Sequence, residues 1–216
     1  MKTTNRFVAA TLLALICASL TGCAPFPFYS KNAIHSQRLD TPPPGKALVN
    51  FHMPSEWGGK VTVPIFKDDG ELIGALIGGS EFQYACDPGS QVFIGFADTP
   101  QQFKGLVNEP GDVVGSIAVL QADVSPDKIY DVVIDISMGW SMPAIYLSPV
   151  TKGSDRRQEL PKFEKRERKV SSGLLKSESY EQYSEKESIR IAGIKRDFVS
   201  GVKNDRLRHL NADDCR

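Results

Sequence analysis

Few residues of this 216-residue chain combine type and spacing in a way that invites chemistry. Three histidines occur far apart along the chain: His35 before the first strand, His52 on the polar face of a strand, and His209 near the end. Zinc ligation or nucleophilic catalysis needs several donors or a base–nucleophile pair in one place. No His-x-x-x-His, metal-type cysteine pair or Gly-rich phosphate loop before a helix accompanies these residues, so no metal or cofactor is expected. Ser-x-x-Lys stands at Ser125–Lys128 and Ser200–Lys203, a spacing that on a helix sets a nucleophile beside its lysine. With 19 serines and 15 lysines, roughly one such pair arises by chance. Asp131 and Asp135 share the polar face of a strand and suggest paired glycosidase carboxyls. Four strand residues hold them about 13 Å apart, whereas such carboxyls stand about 5–9.5 Å apart. They are better read as polar strand-face residues. Trp57 and Trp140 both lie in glycine-bearing loops, SEWGGK and SMGWSM. An exposed indole stacks on sugar rings and offers one hydrogen-bond donor, while a buried one would plug an end of the core. The catalytic inventory is therefore empty, and a ligand surface at Trp57 and Trp140 is the alternative to core packing.

The strongest chemical signal lies in the first 23 residues. Lys2 and Arg6 precede an uncharged apolar run, Phe7 to Leu20. As a helix this run reaches about 21 Å, short of the roughly 30 Å hydrocarbon core, which fits a cleaved signal peptide better than a span. Leu20-Thr21-Gly22-Cys23 follows at once and resembles the lipobox of bacterial lipoproteins. The resemblance implies cleavage between Gly22 and Cys23, diacylglycerol and a further acyl chain such as palmitate on Cys23, and a membrane held through lipid. Ala24, where an aspartate would resemble an inner-membrane retention signal, implies the outer membrane, with the body facing the periplasm. Two or more chains anchor stably; one does not.

The elements behind these residues divide the chain as 1–22 signal peptide, 23–45 lipidated cysteine and proline-rich tether, 46–150 β domain, and 151–216 charged linker and helix. Ala47, Val49, Phe51 and Met53 alternate with polar and apolar neighbours, as in a half-buried strand. Further strands are expected at 60–67, 72–77, 82–86, 92–96, 115–124, 128–137 and 144–150, with Asp68-Asp69-Gly70 as a hairpin turn. Pro64 cannot donate to a ladder and predicts an edge or a bulge. Eight short strands with frequent turns predict a mainly β fold, an antiparallel β-sandwich. Pro44-Gly45-Lys46-Ala47-Leu48-Val49, Gly70-x-x-Ile73-Gly74-x-Leu76, Gly79-Ser80-x-Phe82, Pro88-Gly89 and Lys128-Ile129-Tyr130 resemble a family of uncharacterised bacterial lipoprotein domains akin to PEGA-motif domains. Across residues 44–150 the resemblance implies a small β-sandwich in the cell envelope and no catalytic residues. The chain departs from that pattern at Asp127, where a glycine is usual, and in a long Ala97–Gly115 loop.

Charge splits the body. From Cys23 to Val150 seven basic residues face fourteen acidic ones; from Thr151 to Arg216 seventeen basic face twelve acidic. Lys152–Lys169 reads as a solvated linker or exposed helix, with a basic face for anionic lipid or phosphate as the sharper alternative. Tyr180, Tyr183, Ile191, Ile194, Phe198 and Val202 recur near helical spacing and predict an amphipathic helix. Cys86 and Cys215 remain in an oxidising compartment, as a disulfide or as two thiols. The functional expectation is a non-catalytic binding or structural module meeting an envelope protein or the cell wall, with no nucleic-acid partner. Its rival is an envelope hydrolase acting on glycan or peptide.

Overall fold

The computed structural model describes residues 38–54, 62–96, 117–138, 143–166, 169–170 and 207–216. All eight expected strands form: β1 (Ala47–Met53), β2 (Thr62–Lys67), β3 (Leu72–Ile77), β4 (Ser80–Cys86), β5 (Gly89–Phe96), β6 (Ile117–Val124), β7 (Ile129–Met138) and β8 (Pro143–Pro149). Helix α1 (Asp155–Arg166), β9 (Lys169–Val170), β10 (Leu207–Leu210) and a 3-10 turn (Ala212–Asp214) follow. The strands build two five-stranded sheets, in the orders β8-β7-β1-β4-β9 and β10-β6-β5-β2-β3.

The arrangement is sandwich-like, but neither sheet is purely antiparallel, which corrects the sequence expectation. β1 runs parallel to β7, β4 to β9 and β10 to β6. Only neighbours joined by a tight turn are obliged to pair antiparallel. Five strands intervene between β1 and β7, so the chain returns in either direction.

Alternation along β1 holds: Ala47, Val49, Phe51 and Met53 all reach the buried core. Val49, Phe51 and Met53 of β1, Val132 and Ile134 of β7, and Val63, Ile65, Phe93 and Leu120 of the second sheet form one buried cluster. Phe51 ties it together, stacking on Phe82 at 4.9 Å within its own sheet and meeting Phe93 edge-on at 5.3 Å across the gap. Such ring pairs contribute about 0.5–1.5 kcal/mol beyond burial alone.

The local signals also hold. Gly70 takes φ 94° in the β2–β3 turn, a conformation open to glycine at little cost. Pro64 stands opposite Ala75, where β2 has no β5 partner, and a register shift follows at Ile65/Phe66. Asp127 adopts φ 58°, in the left-handed region where glycine is commonest. Its side chain accepts a hydrogen bond from the Gly45 amide at 2.9 Å, an interaction glycine could not make.

The carboxy-terminal third departs further from expectation. Helix α1 is not simply solvated: Leu160 is buried with Val133 and Val150 on the outer face of the first sheet. β10 pairs with β6 and was not foreseen, because four residues are too few to show a period. The helix expected around Tyr180 to Val202 lies outside the described residues.

Gly74 sets a packing test, since a Cβ there would come within 2.8 Å of the Phe82 ring. Gly74→Ala is expected to cost about 1–3 kcal/mol in urea unfolding. Adding Phe82→Leu should then cost less than Phe82→Leu costs in the parent, because the clash has gone.

Candidate functional site

Strand alternation gives the first sheet a second face, and that face is polar. It carries Asn50 and His52 from β1, Glu81 and Gln83 from β4, and Asp131 and Asp135 from β7. The register sets Asn50 beside both Gln83 and Asp131, and His52 beside Glu81. Sequence reasoning placed His52 and Asp131 on a polar face, which is right, but a polar face is not a wet one. His52 is 1% exposed and Asp131 0%. Among the covering groups are Arg38 and Leu39 from before β1, Arg157 and Leu160 of α1, and Arg216.

Asp131 is the hub. Its Oδ1 accepts hydrogen bonds from Asn50 Nδ2 at 3.0 Å and Arg216 Nη2 at 2.7 Å, and its Oδ2 from Arg216 Nε at 2.5 Å. His52 Nε2 stands 3.0 Å from Oδ1 and donates when it carries the proton. Arg157 Nη1 lies 3.8 Å from Oδ2, an ion pair without a hydrogen bond. Burial alone would raise the carboxyl's pKa, but His52 and Arg216 outweigh it and hold Asp131 well below the usual carboxylate range.

Two lines run outward from this hub to Arg38 and Leu39. His52 Nδ1 stands 3.2 Å from Glu81 Oε2, out of line for a hydrogen bond but close enough to pair charges. Glu81 in turn pairs with Arg38 at 3.1 Å. On the second line, Asn50 Oδ1 accepts from Gln83 Nε2 at 2.8 Å. Gln83 also grips the Leu39 backbone, accepting from its amide at 2.5 Å and donating to its carbonyl at 3.0 Å. Burial pulls the His52 pKa down, yet the Asp131 hydrogen bond and the nearby negative charges of Asp131 and Glu81 prevail and raise it.

The chemistry open to this cluster is limited by its own closure. A histidine paired with a buried aspartate resembles the orienting half of a general-base relay. Here both imidazole nitrogens face carboxylates, so neither is aimed at a substrate proton. Among the described residues no group of three or more His, Cys, Asp or Glu is arranged to hold a metal ion.

The other residues singled out in the sequence are dispersed. Asp135 pairs with Arg156 at 2.7 Å near the surface. His209 is exposed. Ser125 lies in the β6–β7 turn, where its amide donates to Tyr130 Oη at 2.9 Å, so Ser125–Lys128 is no helical pair. Cys86 and Cys215 are free thiols in this structure. Cys86 is buried between the sheets, where desolvation pushes its thiol up to about 11. Cys215 packs at the margin of that core. Gly22, Cys23, His35, Trp57, Trp140 and the Ser200–Lys203 pair lie outside the described residues, as does the whole Ala97–Gly115 loop.

The cluster could have been suspected from the sequence. Leu48 on the polar face of β1, and Ile129 and Val133 on that of β7, are apolar, a sign that those faces are covered. No protein-family model, curated protein or solved structure matches the chain.

Asp131→Asn leaves the buried His52 and the arginines around it without their counter-charge and is expected to cost about 3–5 kcal/mol in urea unfolding. Asp135→Asn should cost about 1 kcal/mol or less, as the loss of an exposed pair does. A second outcome concerns pH. Because the folded His52 pKa is raised, its contribution is full below the ordinary imidazole value of 6.5 and fades as pH climbs through the raised value. The lowered Asp131 acts in the opposite sense, contributing above the usual carboxylate range and failing as acid protonates it. Denaturation midpoints from pH 4 to 10 should therefore decline on the alkaline side, and His52→Gln should flatten that limb.

Proposed function

We propose that this chain is a lipid-anchored protein of the cell envelope, cut before Cys23, acylated there, and held at the outer membrane with its body in the periplasm. On this reading residues 46–150 belong to the PEGA-like lipoprotein domains, and the body is a binding or structural module rather than an enzyme. The observation that carries the anchor is the order of positive residues, a fourteen-residue apolar run and Leu20-Thr21-Gly22-Cys23. Supporting a non-catalytic body is the commitment of its one buried histidine to carboxylates on both sides. The described body also begins at Arg38, with its first residues tied to Glu81 and Gln83. Fifteen residues separate Cys23 from Arg38, so the anchor leaves at most about 50 Å of reach between lipid and body. The partner on this reading is an envelope protein or the cell wall, met within that distance of the membrane.

Mass spectrometry of the native protein should find a mature chain beginning at acylated Cys23. Cys23→Ser should accumulate as uncleaved precursor that takes up no labelled palmitate. An unmodified thiol in a mature chain would sink the reading. Turnover of purified cell-wall fragments by the intact protein would instead favour the hydrolase.

A further inference from the structure

Where α1 meets the end of the chain, a groove of about 420 Å³ opens between Lys152, Arg157, Leu160, Pro161, Cys215 and Arg216. That volume lies within the roughly 300–1,000 Å³ usual for small-ligand sites. Three of the six lining residues are cationic and none is acidic. We propose that this groove binds a compact oxyanion, a phosphate or carboxylate group carried on an apolar stem.

Arg157 supplies the argument. Its Nη2 donates to the carbonyls of Val150 at 2.7 Å and Asp214 at 2.6 Å, which fix the guanidinium without neutralising it. Its Nε is buried and has no acceptor. The nearest carboxylate oxygen, Asp131 Oδ2, is 3.8 Å away and already taken by Arg216. A half-buried guanidinium held by neutral carbonyls, with no carboxylate of the described residues in hydrogen-bond range, is pre-organised for an entering oxyanion. Lys152 stands beside it: its amide donates to Asp214 Oδ1 at 3.3 Å, while its ammonium meets no partner among the described residues. An entering anion would thus find one fixed and one mobile cation. Leu160 and Pro161 make the remaining wall apolar, which suits an organic anion better than a bare one.

The inference deepens the binding-module reading, naming the ligand chemistry, and fails separately from it, since lipid on Cys23 is read by mass spectrometry alone. The test is calorimetric titration of the full lipidated chain, in neutral detergent, with phenyl phosphate. One saturable site is expected, weakening with added salt. Lys152→Gln, at an exposed and unpaired side chain, should loosen binding by about fivefold or more without altering thermal stability. Arg157→Gln should weaken it further. A second arm adds phosphatidylglycerol to the micelles. If it displaces phenyl phosphate, the groove reads lipid headgroups; if it does not, the ligand is a soluble anion. Either result sustains the proposal. Absence of saturable binding, or binding that neither substitution weakens, overturns it.

Discussion

A carboxylate removed from water must be surrounded by donors or give up its charge, and in this fold that requirement organises both flanks of the first sheet. Asp131 keeps its charge because Asn50, His52 and Arg216 surround it at hydrogen-bond distance. Removing a charge from water costs several kcal/mol even after relaxation, so the surrounding groups matter less for added stability than for excluding other arrangements. Arg216 can satisfy Asp131 only if the residues before it cross from the second sheet to the first. They do: β10 joins β6, Tyr130 Oη donates to Ala212 at 3.1 Å, and the Arg216 amide donates to Ile129 at 2.8 Å. The chain end thereby bridges both sheets.

The opposite flank depends on the same group through shorter steps. His52 passes the charge relation to Glu81 and then to Arg38, while Asn50 passes the hydrogen-bond relation to Gln83 and then to Leu39. The segment leading in from the tether and the segment leading out of β10 are therefore fastened to one polar line across β4, β1 and β7. If Cys23 carries lipid, as proposed, that line is where pull from the anchor would enter the folded body. The inner core bears on this only indirectly. Phe51, Phe82 and Phe93 hold the sheets together, and the polar face holds the ends to the sheets.

Much of this was legible in the residues. Alternation located all eight strands of the body, Asp68-Asp69-Gly70 located a hairpin, and Pro64 located an irregular ladder. Each is a local signal, read within four to eight residues. What escaped was non-local. Nothing in the sequence of β1 says that it lies parallel to β7, since that pairing joins residues some eighty positions apart. Period two separates two faces of a strand but is silent on what covers each, so His52 and Asp131 read only as polar strand-face residues. The charge of α1 masked Leu160, an apolar side chain that docks it. Arg216 gave no signal at all, because a single arginine carries no period. The departure at Asp127 was visible as an oddity, and its meaning came only with φ 58° and the hydrogen bond from Gly45.

The central claim is that one buried carboxylate fastens both flanking segments, and amide hydrogen exchange under native conditions reads it most directly. In the parent chain the amides of Leu39 and Arg216 should be protected well beyond what exposed loops show. Replacing Asp131 with asparagine should release both together, while amides in the β5–β6 ladder still exchange only with global unfolding. Release of Arg216 with Leu39 left as protected as before would contradict the account, because the two flanks would then be held independently.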